Sequence, residues 1–241
     1  MVGASPRDHG KLTRCPACVD WLKTSRLTAE ERQHTIADIS ERDDDHRGEM
    51  MALRFLGKQM LADPFGYLSI WGRKGGGKSL LLTALVAEFC RMGREAKYFN
   101  ASEIVTMTAY GDDKAIDGFQ KVNSYEHAKR LLKEIPVLAI DEMDKIKWTP
   151  WQVQQIGEVF EYRHRHVDSR VTILAMNKPP WEWSNAGEVE HIASRLSDGR
   201  FYRRWPDEHM RALPKCADGK PELPGLFQVT LADIRPTLRR Y

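Results

Sequence analysis

Three short stretches carry residue types that could handle a phosphorylated ligand. The first is Gly72-Arg73-Lys74-Gly75-Gly76-Gly77-Lys78-Ser79, which fits G-x-x-x-x-G-K-[ST]. Glycines let successive backbone N–H groups turn toward one anion. Lys78 adds a mobile cation for the β- and γ-phosphates, and Ser79 places a hydroxyl where it can ligate Mg²⁺. The second stretch, Val137-Leu138-Ala139-Ile140-Asp141-Glu142, is an apolar run ending in two carboxylates. Asp141 suits Mg²⁺, directly or through water, and Glu142 suits polarisation of an attacking water. The third, Val171–Met176, is apolar and ends at Asn177, a polar residue where metal and water would meet.

These groups converge only if the chain supplies strands and helices around them. Tyr67–Trp71 reads as a buried strand entering the glycine loop, and Ser79–Phe89, with Leu80 in its first turn, reads as the helix leaving it. The positive end of that helix completes an anion site. Strands at 67–71, 96–99, 136–140, 171–176 and near 227–231 alternate with helical segments, and their continuous apolar character fits a parallel sheet covered on both faces. Ligands of such sheets bind at the C-terminal ends of the strands. The fold class is therefore α/β: a three-layer α/β/α P-loop domain with a mainly parallel sheet, a small N-terminal segment, and a minimal or absent C-terminal lid.

Composition sets the outer bounds. The chain has 241 residues, 41% hydrophobic and 29% charged, with a formal net charge of +3. That charge is too small to imply a nucleic-acid partner by itself. No apolar run approaches the roughly 20 residues of a membrane span, and Met1–Lys11 has no apolar core of a secretory signal. A cytoplasmic, reducing setting is expected. Cys15 and Cys18 have the spacing of half a zinc site, but no second pair completes it. A redox pair and two reduced cysteines in a flexible arm remain open at this point.

Local signals add detail. Thr28 and Glu31 have capping-box spacing and predict a helix from Ala29. Asp43–Asp45 suits a second helix start, and Met50, Met51, Leu53, Leu56 and Met60 follow as a core-facing stripe. The division expected is an N-terminal segment, 1–42, and an ATPase domain, 43–241. Asn100 and Glu103 open another helix, 114–133 reads as helical, and Gln152–His166 as a further helix. Lys121, Lys129, Arg130, Lys133, Arg163 and Arg165 are candidates for a basic surface facing a phosphate backbone.

Together the glycine loop, Val137–Glu142, Thr172–Asn177 and Ser194-Arg195-Leu196 resemble the AAA+ ATPases of the bacterial helicase-loader type, the DnaC/DnaI family, and the IstB-like transposition ATPases. The resemblance covers roughly residues 46–241. It implies ATP and Mg²⁺ as ligands, with Gly72, Gly75, Gly76, Gly77, Lys78, Ser79, Leu80 and Asp141 around the nucleotide. It implies Glu142 as the catalytic carboxylate, Asn177 as the sensor-one residue, and Arg195 as an arginine finger acting on a neighbouring subunit. It further implies an ATP-dependent oligomer on single-stranded DNA and an N-terminal segment that binds a replicative helicase. Some members carry zinc-binding cysteines in that segment, which Cys15 and Cys18 match in part. The chain departs from fuller relatives in two ways. Few residues follow Asn177, too few for a complete helical lid, so a sensor-two role for Arg200 or Arg203 has weak support. Lys74 stands where many relatives carry a small or uncharged residue.

Three functions compete on sequence. A helicase loader is favoured. A transposition helper on duplex DNA with a transposase partner is the alternative. A small-molecule kinase fits less well, because Glu142 and Asn177 have no need there and no arginine-rich lid precedes Asn177.

Overall fold

The computed structural model describes residues 20–39, 47–110, 125–183, 189–196 and 226–229. Among them the chain forms strands β1 (Tyr67–Gly72), β2 (Ala96–Asn100), β3 (Val137–Asp141), β4 (Val171–Met176) and β5 (Leu226–Val229). The helices are α1 (Trp21–Thr24), α2 (Arg47–Ala62), α3 (Lys78–Arg91), α4 (Ala101–Tyr110), α5 (Tyr125–Glu134), α6 (Pro150–Arg165) and α7 (Glu190–Leu196). The sheet order is β2-β3-β4-β1-β5, and every pairing is parallel. The ends of β3, β4 and β1 therefore lie side by side and point the same way.

Side chains alternate across the strands, as the two-residue strand period requires. Val137 and Ala139 join Leu68, Ile70, Ile173 and Ala175 in one cluster, under α2 and α3. Leu138 and Ile140 join Tyr67, Phe99, Leu174 and Met176 in the other, under α4, α5, α6 and α7. Helix, sheet and helix make the three layers expected. Helix α6 starts on a capping box, with Thr149 Oγ1 accepting from Gln152 N and Gln152 Oε1 accepting from Thr149 N, and with Pro150 in the first turn.

Several local expectations need correction. The Thr28–Glu31 box forms in both directions, yet it opens only a 3₁₀ turn at Glu31–Gln33. Thr35 takes an extended conformation and starts a second box with Asp38, which ends the first turn before it can lengthen. In α2, Leu53, Leu56 and Met60 are fully buried, whereas Met51 is 50% exposed and lies off the core stripe.

Described residues on both sides of the expected 42/43 division pack together. Leu27, Ile36 and Ile39 are buried in the same cluster as α3. Arg91 on α3 donates to the carbonyl oxygens of Arg32 and His34. A Cβ placed on Gly57 would come within 2.6 Å of Ile36 Cδ1 and 2.9 Å of Leu81 Cδ1. A side chain there would push both methyl groups aside. Residues 20–39 are thus a strap fastened to the domain.

The basic-surface expectation also changes. Arg163 is fully buried. Its guanidinium donates to Leu132 O (2.9 Å), Lys133 O (3.3 Å), Ile135 O (2.7 Å), Val171 O (2.5 Å) and Thr172 Oγ1 (2.8 Å). Those first carbonyls are the ones that the end of α5 leaves without helical partners, so Arg163 caps α5 and joins it to β4. Burial pushes its pKa down to about 9, and it remains charged at neutral pH. Lys129 is 6% exposed and pairs with Glu158 and Glu126. Neither side chain is available to a phosphate backbone. Arg130 and Arg165 are exposed, Arg165 being paired with Glu161, and Lys121 lies outside the described residues.

Arg163→Met should destabilise the domain by about 3 kcal/mol or more, because several buried acceptors lose their donor at once. Urea unfolding of the two proteins measures this. A loss under about 1 kcal/mol would show that water or another donor replaces the guanidinium.

Candidate nucleotide site

The glycine loop runs from the end of β1 to the start of α3. Gly75 and Gly77 have φ of 85° and 79°, a left-handed conformation that a side chain would strain. Lys78 follows at the first position of α3 and is 6% exposed. Its Nζ donates to Gly72 O at 2.9 Å, Arg73 O at 2.7 Å and Asn177 Oδ1 at 3.3 Å. All three are neutral oxygens, so none cancels the charge. Burial lowers the Lys78 pKa, and the nearby Asp141 and Asp144 oppose the shift.

Asp141 ends β3 and is 4% exposed. Tyr98 Oη donates to its Oδ2 at 3.0 Å, and Glu142 N to its Oδ1 at 2.7 Å. Burial raises its pKa, while hydrogen bonds from Ser79, Tyr98 and Glu142 N pull the other way. The Ser79 contact places the two expected Mg²⁺ ligands together. Glu142 sits in the left-handed region at φ 60°, outside the strand's own hydrogen-bond ladder. Asn100 Nδ2 donates to its Oε2 at 2.9 Å, and Lys145 Nζ bonds its Oε1. Burial raises the Glu142 pKa, but the Lys145 and Asn100 hydrogen bonds outweigh it and the net shift is downward.

Asn177 follows β4, between Asp141 and the glycine loop. Asp144 accepts from its backbone N at 2.7 Å and lies 3.4 Å from its Nδ2. The amide is thereby oriented with Oδ1 toward Lys78. Lys74, Gly75, Gly77, Lys78, Ser79, Leu80, Asp141, Glu142, Met176 and Asn177 line one cleft of about 290 Å³. Gly72 and Gly76 are buried beneath it. A larger groove of about 900 Å³ between α5 and α6 is more open and holds none of these residues.

Arg195 does not line the cleft. It is part-buried on α7, with Nε 2.8 Å and Nη2 2.7 Å from Glu161 Oε2. Cys15, Cys18, Arg200 and Arg203 lie outside the described residues. Sequence reading missed Tyr98, Asn100, Asp144 and Lys145, all within reach of the expected site residues. A signal existed for Asp144 and Lys145, which follow Asp141-Glu142 in a short polar turn. For Tyr98 and Asn100 the only hint was their place at the end of β2.

A left-handed glycine loop, a buried lysine at a helix start and a carboxylate at the next-but-one strand tip define a P-loop nucleotide-binding domain. Residues 68–181 match the AAA family, the ATPase family associated with various cellular activities. The crystal structure of DnaI is similar with a TM-score of 0.58 and 17% identity, over 87% of this chain and 95% of that one. The replication initiator DnaA bound to AMPPCP and single-stranded DNA is similar at 0.55 and 16%, over 86% and 52% of the two chains. Domain III of the Thermotoga maritima replication initiation protein DnaA is similar at 0.51 and 14%, over 69% and 65%. At these identities the likeness is one of fold. The match over residues 68–181 and the DnaI-like fold agree with the sequence resemblance.

Lys78→Ala should weaken ATP binding by about ten- to hundredfold, the scale of a lost charge-assisted hydrogen bond. Fold stability should fall little, since the cation removed has only neutral partners in contact. Titration with a fluorescent ATP analogue, beside thermal unfolding, reads both. Unchanged affinity would remove Lys78 from the phosphate site.

Proposed function

We propose that this chain is an ATP-hydrolysing AAA+ accessory protein of DNA replication, acting as a helicase loader. The observation that supports it most is the meeting of Lys78, Ser79, Asp141, Glu142 and Asn177 in one cleft. Lys78 holds the β- and γ-phosphates, exchanging its carbonyl contacts for phosphate oxygens. Ser79 and Asp141 would hold Mg²⁺, which would supply charge neutralisation at the phosphates. Glu142 accepts a hydrogen bond from the attacking water. Asn177, oriented by Asp144, keeps the γ-phosphate and Lys78 in register. The products are ADP and phosphate.

In this reading the active form is an oligomer. Arg195 leaves Glu161 and reaches the nucleotide of a neighbouring subunit, so turnover is slow until subunits assemble on single-stranded DNA. Residues 1–42 contact the replicative helicase, with Cys15 and Cys18 supplying part of a zinc site, and 43–241 bear the ATPase. Because residues 20–39 are packed on the domain, the truncation that removes helicase binding should leave a chain starting at Asp20, which keeps the strap.

The decisive experiment combines binding and complementation. ATP, but not ADP, should promote single-stranded DNA binding, and that binding should weaken steeply with salt as counterions are released. Full-length protein should capture the host replicative helicase, and the chain starting at Asp20 should not. Arg195→Ala and Lys78→Ala subunits, each inactive, should recover hydrolysis when mixed, because some interfaces pair an intact loop with an intact arginine. No helicase capture, together with ATP-dependent filaments on duplex DNA and a transposase partner, would replace the loader by a transposition helper.

A further inference from the structure

Strand β2 is an edge of the sheet, with β3 on one side. On its other side lies the strap. Tyr98 N donates to Ser25 O at 2.9 Å. Ser25 is fully buried and its own Oγ donates to Leu22 O. The next residue, Arg26, has φ of 68°, uncommon for a side chain of that size. Its guanidinium lies 4.6 Å from the centre of the Phe99 ring and 2.9 Å from Glu103 Oε1. The dipeptide Ser25-Arg26 thus grips the edge strand and the first turn of α4.

Both grips lead inward to the carboxylates. Tyr98, held by Ser25, donates its hydroxyl to Asp141. Glu103, held by Arg26, accepts from Asn100 N at 2.9 Å through its second oxygen. Asn100 Oδ1 accepts from Ser102 N at 3.1 Å and Ser102 Oγ at 2.8 Å. With that oxygen engaged, Nδ2 faces Glu142. Glu142 then has a donor on each oxygen, Asn100 on one and Lys145 on the other. A carboxylate held so is a poorer acceptor for water.

We propose that Arg26 is a positioning residue that restrains Glu142 through Glu103 and Asn100, so that the N-terminal strap brakes ATP hydrolysis. The proposal rests on the reading of Glu142 as the residue that activates water. Loosening Arg26 frees Glu103, relaxes the start of α4 and lets Asn100 release the carboxylate. A purely structural strap would instead lower stability and activity together.

The test is steady-state hydrolysis by the full chain in Mg²⁺ and ATP, with thermal unfolding beside it. Arg26→Ala should raise kcat by about two- to fivefold, the scale of a part-exposed ion pair, with KM for ATP unchanged. Arg26→Lys, which keeps a cation on Glu103, should return kcat toward wild type. Asn100→Ala should also raise kcat, and adding Arg26→Ala to it should raise it no further, as expected for one coupled line. Glu103→Gln, which weakens the same line while leaving every residue of the strap unsubstituted, should match Arg26→Ala and stands in if that protein does not fold. Unchanged or reduced kcat in Arg26→Ala and Glu103→Gln, or full additivity with Asn100→Ala, overturns the proposal. Glu142→Gln separates the two levels. If it hydrolyses ATP at the wild-type rate, the reading of Glu142 fails, whereas if it is inactive and Arg26→Ala is unchanged, only the brake fails.

Discussion

The structure turns on one buried charge. Lys78 opens α3 and reaches back to the end of β1 with neutral oxygens as its contacts, and a buried cation without a contacting carboxylate is costly. Asp141 and Asp144 lie near enough to raise its pKa against the effect of burial, but Asp141 is committed to Tyr98 and Glu142 N, and Asp144 to Asn177. The arrangement leaves the lysine able to exchange carbonyl contacts for an anion. The parallel order of β3, β4 and β1 is what makes it possible, since it brings Asp141, Asn177 and the glycine loop to one edge.

How much of this was legible depended on range. The glycine loop and the carboxylate pair were readable because their chemistry is contiguous in sequence, and the strands because a doubly covered parallel sheet demands unbroken apolar runs. Four strands lie within a residue of their expected bounds, and β5 begins one residue before the expected stretch. The partners of the site were not readable, because Tyr98 and Asn100 reach Asp141 and Glu142 only through the pairing of β2 with β3. Arg163 was misread within a basic run, although the helical spacing of Val153, Ile156 and Phe160 extends to it and already assigns it to the buried face.

The strap shows the same limit from another side. Its polar composition and weak apolar periodicity read as a separate segment, yet three well-spaced residues, Leu27, Ile36 and Ile39, suffice to fasten it over α3. Short 3₁₀ turns, each closed by its own capping box, place those side chains without a regular helix. The fastening also covers the free edge of β2, which would otherwise present unpaired backbone groups. Edge protection and the line of contacts that leads through Tyr98, Glu103 and Asn100 toward Asp141 and Glu142 thus begin at neighbouring residues, Ser25 and Arg26.

The account stands on the Asp141–Glu142 tip as the place where bound ATP is cleaved. Single-turnover hydrolysis of radiolabelled ATP, with Mg²⁺ and single-stranded DNA, tests it most directly when wild type is compared with Glu142→Gln. Wild type should convert its bound ATP to ADP, while Glu142→Gln should bind ATP as tightly and release it uncleaved. Cleavage at the same rate in both proteins would contradict the account and move the catalytic group elsewhere in the chain.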